Sequence, residues 1–256
     1  MPNIRELPNK PLVEAILELR WFISPEQGDS HYTLFPGRLY DRVQSRYPFH
    51  EPLPASMVPQ PVALNIVQHR FRSKENAWPL IQIGPGIITL NDTEGYTWKD
   101  FGQRASELVQ DVYEAYPMPE ELRVISLALR YIDAIQFDYA KSDVLDFLGD
   151  KLKTRIVLSQ DLFDGVPVDR APTGFDLHIT FAASKPKGSI AVRFGTGTHR
   201  EKPAVIWETT VGSRDNDLPK MPDKFGEWVE AAHSLTDDWF FKLIQGELER
   251  RFASDK

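Results

Sequence analysis

A six-residue pattern written twice constrains this chain more than anything else in it. Leu17-Glu18-Leu19-Arg20-Trp21-Phe22 returns 110 residues later as Leu127-Ala128-Leu129-Arg130-Tyr131-Ile132, and Tyr96-Thr97-Trp98 returns 109 residues later as Val205-Ile206-Trp207. The first match keeps the order apolar, variable, apolar, Arg, aromatic, apolar, which is period-two strand patterning with one retained charge. Two matches at nearly one offset imply a duplication. Residues 1–120 and 121–256 are then two copies of one supersecondary unit, fused in one globular body and related by a pseudo-two-fold axis.

The elements follow from local pattern. Pro11–Ser24 alternates, with Val13, Ala15, Leu17, Leu19 and Trp21 on one face and Glu14, Glu18 and Arg20 on the other, as a half-buried strand does. Leu34–Tyr47 reads as a helix stopped by Pro48, and the prolines of Pro52–Pro61 mark a loop. Strands are expected at Val62–Arg72, Trp78–Ile83 and Ile87–Asn91, with Gly84-Pro85-Gly86 as a hairpin turn, and then an amphipathic helix from Trp98 to Tyr116. The second half repeats the order: a strand at Arg123–Phe137, a helix at Asp143–Leu152 and a polar excursion at Ser159–Gly174. Strands at Phe175–Ala183, Ser189–Phe194 and Ala204–Val211 follow, then one helix from about Asp223 to Phe252.

Strand, helix, consecutive strands and helix, given twice, describe an α+β fold. Three strands in a row leave no room for the crossover helices of a doubly wound sheet. The expected architecture is one curved antiparallel sheet with helices on its convex face. It resembles the tandem fold of the TATA-binding protein in architecture alone; a helix-grip cavity fold is the alternative, in which the last helix lies across a cupped sheet.

Composition removes whole classes of chemistry. The chain has no cysteine, which excludes disulfides, thiolate metal sites and cysteine nucleophiles. Its six histidines form no His-x-x-x-His or His-Glu-x-x-His pair, and neither Gly84-Pro85-Gly86 nor Gly195-Thr196-Gly197-Thr198 continues as a phosphate loop, so both read as hairpin turns. No Gly-x-Ser-x-Gly elbow occurs. No metal, cofactor or catalytic residue is assigned. The net charge of −7 gives no general attraction to nucleic acid and suits a basic protein partner. With no apolar run of membrane length and no apolar leader in the first ten residues, a cytoplasmic location away from membranes is expected.

The candidate binding residues are Arg20, Arg130, Glu14, Glu18, His69, His178, Trp98 and Trp207. Period-two counting places Arg20 and Arg130 opposite their flanking leucines, on the concave face, where each arginine can grip a carboxylate or phosphate with two parallel hydrogen bonds or pair with Glu18 or Asp133. Glu14 and Glu18 share that face about 13 Å apart, too far for paired acid–base work. His69 and His178, at offset 109, are expected in equivalent positions, and Trp78, Trp98, Tyr131 and Trp207 as aromatic walls. Arg38, Arg42 and Arg46 line one helix face.

Asn9-Lys10-Pro11-Leu12-Val13-Glu14-Ala15-Ile16, Leu80-Ile81-Gln82-Ile83-Gly84, Leu90-Asn91, Tyr96-Thr97-Trp98 and Leu129-Arg130-Tyr131-Ile132-Asp133 together resemble a sporadically distributed family of bacterial and archaeal proteins of about this length. That family is recognised by an N-terminal Pro-Leu-x-Glu-Ala and a central Leu-Arg-Tyr-Ile segment. It has no established activity, so the resemblance implies no catalytic residue; its patchy distribution implies an accessory role such as a defence or toxin–antitoxin module. The resulting expectation is a non-enzymatic protein-binding component, in that setting a neutralising one, which uses the concave face and pairs as a homodimer through its exposed sheet edges. A small-molecule or nucleotide-binding sensor or enzyme using the same face is the alternative, and nucleic-acid binding, which Glu14 and Glu18 oppose, is the third.

Overall fold

In the computed structural model, which describes residues 7–24, 26, 28–59, 62–93 and 95–254, two strands form the middle of one open antiparallel sheet. They are β1 (Leu12–Trp21) and β6 (Val124–Gln136). Ala15, Leu17, Leu19 and Trp21 of β1 are buried, as are Leu127 and Leu129 of β6, while Glu14, Glu18, Arg20 and Arg130 stand on the other face. Leu17 pairs with Leu129 and Leu19 with Leu127, so the local two-fold passes through the pair Glu18 and Ala128, which the 110-residue offset also relates. A slip of one residue would turn every leucine to the opposite face, so the apolar alternation fixes this register.

Outward from β1 lie β5 (Ile87–Asp92), β4 (Leu80–Gly84), β3 (His69–Arg72) and β2 (Phe49–Pro52). Outward from β6 lie β9 (Lys202–Arg214), β8 (Lys187–His199) and β7 (Asp176–Ser184), which completes nine strands. Every neighbouring pair is antiparallel. β2 and β7 are the free edges, and the sheet does not close into a barrel.

Five α-helices among the described residues cover one face: α1 (Phe35–Val43), α2 (Trp98–Ala115), α3 (Val144–Lys151), α4 (Phe225–Ile244) and α5 (Glu247–Ala253). α2 begins where the Thr97 hydroxyl accepts from the Asp100 amide, and it buries Phe101, Ala105, Leu108, Val109 and Val112 at helical spacing. Arg42 pairs with Glu114 at 2.5 Å and Arg46 with both Glu107 and Asp111, so the basic stripe of α1 ties it to α2. The apolar interior falls into two clusters. One joins α1, α2 and the start of α4 to the β1 side, and the other joins α3, α5 and the end of α4 to the β8–β9 side. No helix of the described residues is long and apolar enough to cross a membrane.

Several expectations need correction. The strand expected from Val62 shrinks to His69–Arg72, because residues 62–68 bend past the β4–β5 turn, and Phe49–Pro52 is a strand that the prolines concealed. The end of the Pro-rich loop, Gln60 and Pro61, lies outside the described residues, as do Met1–Glu6, so the lead-in is described only from Leu7 onward. Gly195-Thr196-Gly197-Thr198 is no turn: it lies inside β8, and Arg200 and Glu201, both at positive φ, make the turn instead. The last helix breaks at Gly246, whose φ of 115° no helix accommodates. One departure from symmetry is as the strand pattern running on through Glu208-Thr209-Thr210-Val211 implies: Trp98 opens α2 whereas Trp207 sits within β9, so the two halves diverge at that joint.

Gly84 is demanded by packing: a Cβ there would lie 2.0 Å from the Ile66 carbonyl oxygen. Gly84→Ala should lose more than about 2 kcal/mol in denaturant unfolding. Gly149→Ala in α3, where nothing lies within 4 Å, should gain about 0.5–1 kcal/mol. Equal effects at the two sites would contradict the close approach.

Candidate functional site

The sheet has two chemically different faces. On the open face the charges satisfy one another. Arg20 meets Glu18 at 2.6 Å, Arg130 meets Glu208 at 3.3 Å, and Arg193 pairs with Asp176 beside His178. Asn91 donates to Glu14 at 2.8 Å and accepts from Gln82 at 3.1 Å, and Gln82 in turn accepts from Arg70 at 2.9 Å. Arg20 and Arg130 share this face, yet Arg130 stands opposite Ile16, four residues along β1 from Arg20 and so about 13 Å away. They do not converge on one ligand.

Asp133 is not the partner of Arg130. Three positions along a strand is an odd step, so Asp133 points to the helix side, where it is 2% exposed. His69 and His178 also fall on opposite faces: His69 pairs across to Ile83 on the helix side, whereas His178 opposes Arg193 on the open side. Trp98, Tyr131 and Trp207, expected as walls of the open face, all lie on the helix side.

There the two apolar clusters leave a polar seam. Along β6 the inward residues run Leu127, Leu129, Tyr131, Asp133, Ile135, and along β9 their partners run Ser213, Val211, Thr209, Trp207, Val205. α4 crosses this seam with His233, Thr236, Asp237 and Phe240 at helical spacing, and Tyr96 and Trp98 close it from the start of α2. The result is a cavity of about 280 Å³, whose remaining wall is the lead-in around Leu7, Pro8 and Lys10.

Its polar groups form a short chain. The Tyr96 and Tyr131 hydroxyls are 2.8 Å apart, and the Tyr131 hydroxyl lies 3.0 Å from Nδ1 of His233. The His233 ring stacks on Trp98 at 3.8 Å with 13° between planes, and the Trp98 indole N–H reaches Glu230 at 3.3 Å. Burial pushes the His233 pKa down to about 4, so the ring is uncharged at neutral pH, and burial followed by the neighbouring Tyr96 holds the Tyr131 phenol well above its usual range. Burial alone pushes the Asp133 carboxyl up to about 8. Among the described residues Oδ2 of Asp133 and Oγ1 of Thr209, both lining the cavity and both only 2% exposed, meet no hydrogen-bond partner. Lys10 directs its Nζ to the Tyr96 carbonyl oxygen and lies 5.3 Å from the centre of that ring. A carboxyl titrating near neutrality beside an uncharged imidazole and two phenols can donate, accept or pass protons without carrying a full charge of its own.

Of the eight residues the sequence singles out, Trp98 alone lines this cavity; Trp207 sits behind it, paired across the strands to Asp133. Asp133, Thr209 and His233 went unmarked as site residues. Their signal is parity: an aspartate and a threonine at strand positions that alternation assigns to the core, and a histidine on the apolar stripe of α4.

A second, open groove of about 600 Å³ lies between α1 and the Pro-rich loop, where His50 and His69 approach to 3.2 Å. Burial and then His50 lower the His69 pKa. The described residues hold no group of three or more side chains placed to bind a metal ion.

No family model matches the chain, and no curated protein matches it in sequence. Among solved structures it is similar to the di-domain ARO/CYC StfQ from the steffimycin biosynthetic pathway, at 12% identity over 94% of this chain and 98% of that one, with a TM-score of 0.21. A likeness this slight bears on neither fold nor function.

The two shifted groups give opposite pH slopes. Asp133, raised from 3.8 to about 8, holds a proton in the folded chain that the unfolded chain has lost, so its contribution falls as pH rises through that window. His233, lowered from 6.5 to about 4, contributes stability that is lost as pH falls through its window. The slopes oppose each other below about pH 6.5, and above it only that of Asp133 remains. Wild-type stability should therefore drop by about 2 kcal/mol between pH 6.5 and 8, while Asp133→Asn stays nearly flat. Denaturant midpoints across that range check this, and a variant that keeps the wild-type slope would remove Asp133 as the cause.

Proposed function

We propose that this protein binds a small organic molecule in the cavity between the sheet and helices α2 and α4, and that it acts as a ligand-binding or sensing component. The observation that carries this reading is the pair of buried polar atoms, Oδ2 of Asp133 and Oγ1 of Thr209, that line the same cavity and have no partner among the described residues. A buried polar atom left without a partner costs about 1–3 kcal/mol, and a ligand or ordered water that supplies the missing bonds recovers that cost. Aromatic walls with a few convergent polar groups are also what small-molecule sites present.

The open face supports a partner less well. Its arginines are held by Glu18 and Glu208, so an acidic partner would have to displace one ion pair to make another. A basic protein partner would meet the same carboxylates already engaged.

Ligand-observed NMR against a library of small molecules, with the indole resonance of Trp98 and the ring resonances of His233 followed in parallel, tests the reading. Binders should perturb both residues and lose affinity at least tenfold in Trp98→Ala. Binders that instead perturb Arg130 and Arg193 and tolerate Trp98→Ala would move the site to the open face.

A further inference from the structure

The ligand class follows from the Asp133 carboxyl, which faces the cavity without an ion-pair partner among the described residues, Lys10 being directed to Tyr96. Resting on the cavity reading above, we propose that the site takes a small aromatic organic cation, an aryl amidine or arylmethyl amine in which one ring carries a short charged arm, with the cationic nitrogen on Asp133. Oδ2 of Asp133 has no partner among the described residues, and no ion pair joins its carboxyl to an arginine or lysine among them. A buried carboxyl without a cation keeps its proton, and a cation that arrives with a ligand lets it ionise and pair.

The walls suit that ligand. Tyr96, Trp98, Tyr131 and Phe240 present aromatic rings, whose faces attract a desolvated cation. His233 contributes an uncharged ring, and Thr209 offers a hydroxyl oxygen beside the carboxyl, so an amidinium can bridge Asp133 and Thr209 with parallel N–H bonds. Size sets the limit: an apolar cavity of about 150 Å³ holds benzene. The 280 Å³ here then takes one ring, its charged arm and little else.

A cation needs Asp133 ionised, whereas a neutral amide or alcohol prefers it protonated as a donor, so the two classes have opposite pH dependence. Among the described residues, the other ionisable groups facing the cavity are Lys10 from the lead-in, Tyr96 before α2, Tyr131 on β6, and His233 and Asp237 on α4. The His233 ring titrates near pH 4 and the phenols above the ordinary tyrosine range, outside a window of about pH 6–8.

Calorimetric titration with benzamidine and with the nearly isosteric neutral benzamide, at several pH values between about 6 and 8, tests the proposal. Benzamidine should bind the tighter of the two, with affinity rising up to about tenfold per pH unit and levelling near the Asp133 pKa. Asp133→Asn should abolish the rise and reverse the preference, which separates the part of Asp133 from those of Asp237 and Lys10; Asp237→Asn should keep both. If benzamide binds as well or better, or benzamidine weakens as pH rises, the cation is wrong while the cavity reading stands. If benzamidine shows no saturable binding at millimolar concentration, the cation proposal falls. If the NMR library also yields no binder that perturbs Trp98 and His233, the cavity reading falls with it.

Discussion

The pairing of β1 with β6 is the interaction on which the rest of this structure depends. It joins the two halves into one sheet, and because strand side chains alternate with a period of two, its register between the irregularities at either end assigns a face to each residue from Glu14 to Arg20 and to its partners on β6. Leucines at 17, 19, 127 and 129 lie on one side, and the glutamates and arginines between them on the other. The outer strands inherit that parity through continuous antiparallel ladders, so one pairing decides where the helices settle and which face keeps its charges in water.

The open face uses its charges on itself. Pairs such as Arg20 with Glu18 and Arg130 with Glu208 are part-exposed, and contacts of that kind hold side chains in place without adding much stability. The helix face is where burial creates unmet demand. Its two apolar clusters meet imperfectly, and Tyr131, Asp133, Thr209 and His233 occupy the gap. Hydroxyls and an imidazole there bond to one another, while one carboxylate oxygen and one threonine hydroxyl do not. Two such atoms converging on one space of ligand size, where the groove beside α1 has only the Tyr32 hydroxyl among the described residues, set this part of the molecule apart.

Much of the architecture is legible in the sequence because its causes are local. The alternation of Leu12–Trp21, the amphipathic spacing of Phe101–Val112 and the Gly84-Pro85-Gly86 turn each depend on residues within a few positions of one another. The errors share a cause as well. Arg130 and Asp133 are close in sequence, which makes an ion pair attractive, yet an odd step along a strand separates them by the thickness of the sheet. His69 and His178 match the repeat offset, yet their faces depend on register in strands that the repeat does not align residue by residue. Gly246 breaks the last helix although the apolar stripe runs on through Leu248 and Phe252, because its backbone leaves the helical region.

The sequence by itself determined the α+β class, the faces of the two central strands and most helix positions, since periodicity and turn chemistry are properties of short stretches. Only the tertiary structure decided which polar residues meet. Tyr131 reaches His233 across 102 positions and Tyr96 across 35, and whether Asp133 finds a partner depends on α4, on the start of α2 and on the lead-in all at once. Hydrogen-bond satisfaction is a property of the whole packed neighbourhood, so the same aspartate that looks like half of an ion pair in the chain becomes, once the layers close over it, a buried carboxyl with no cation partner among the described residues.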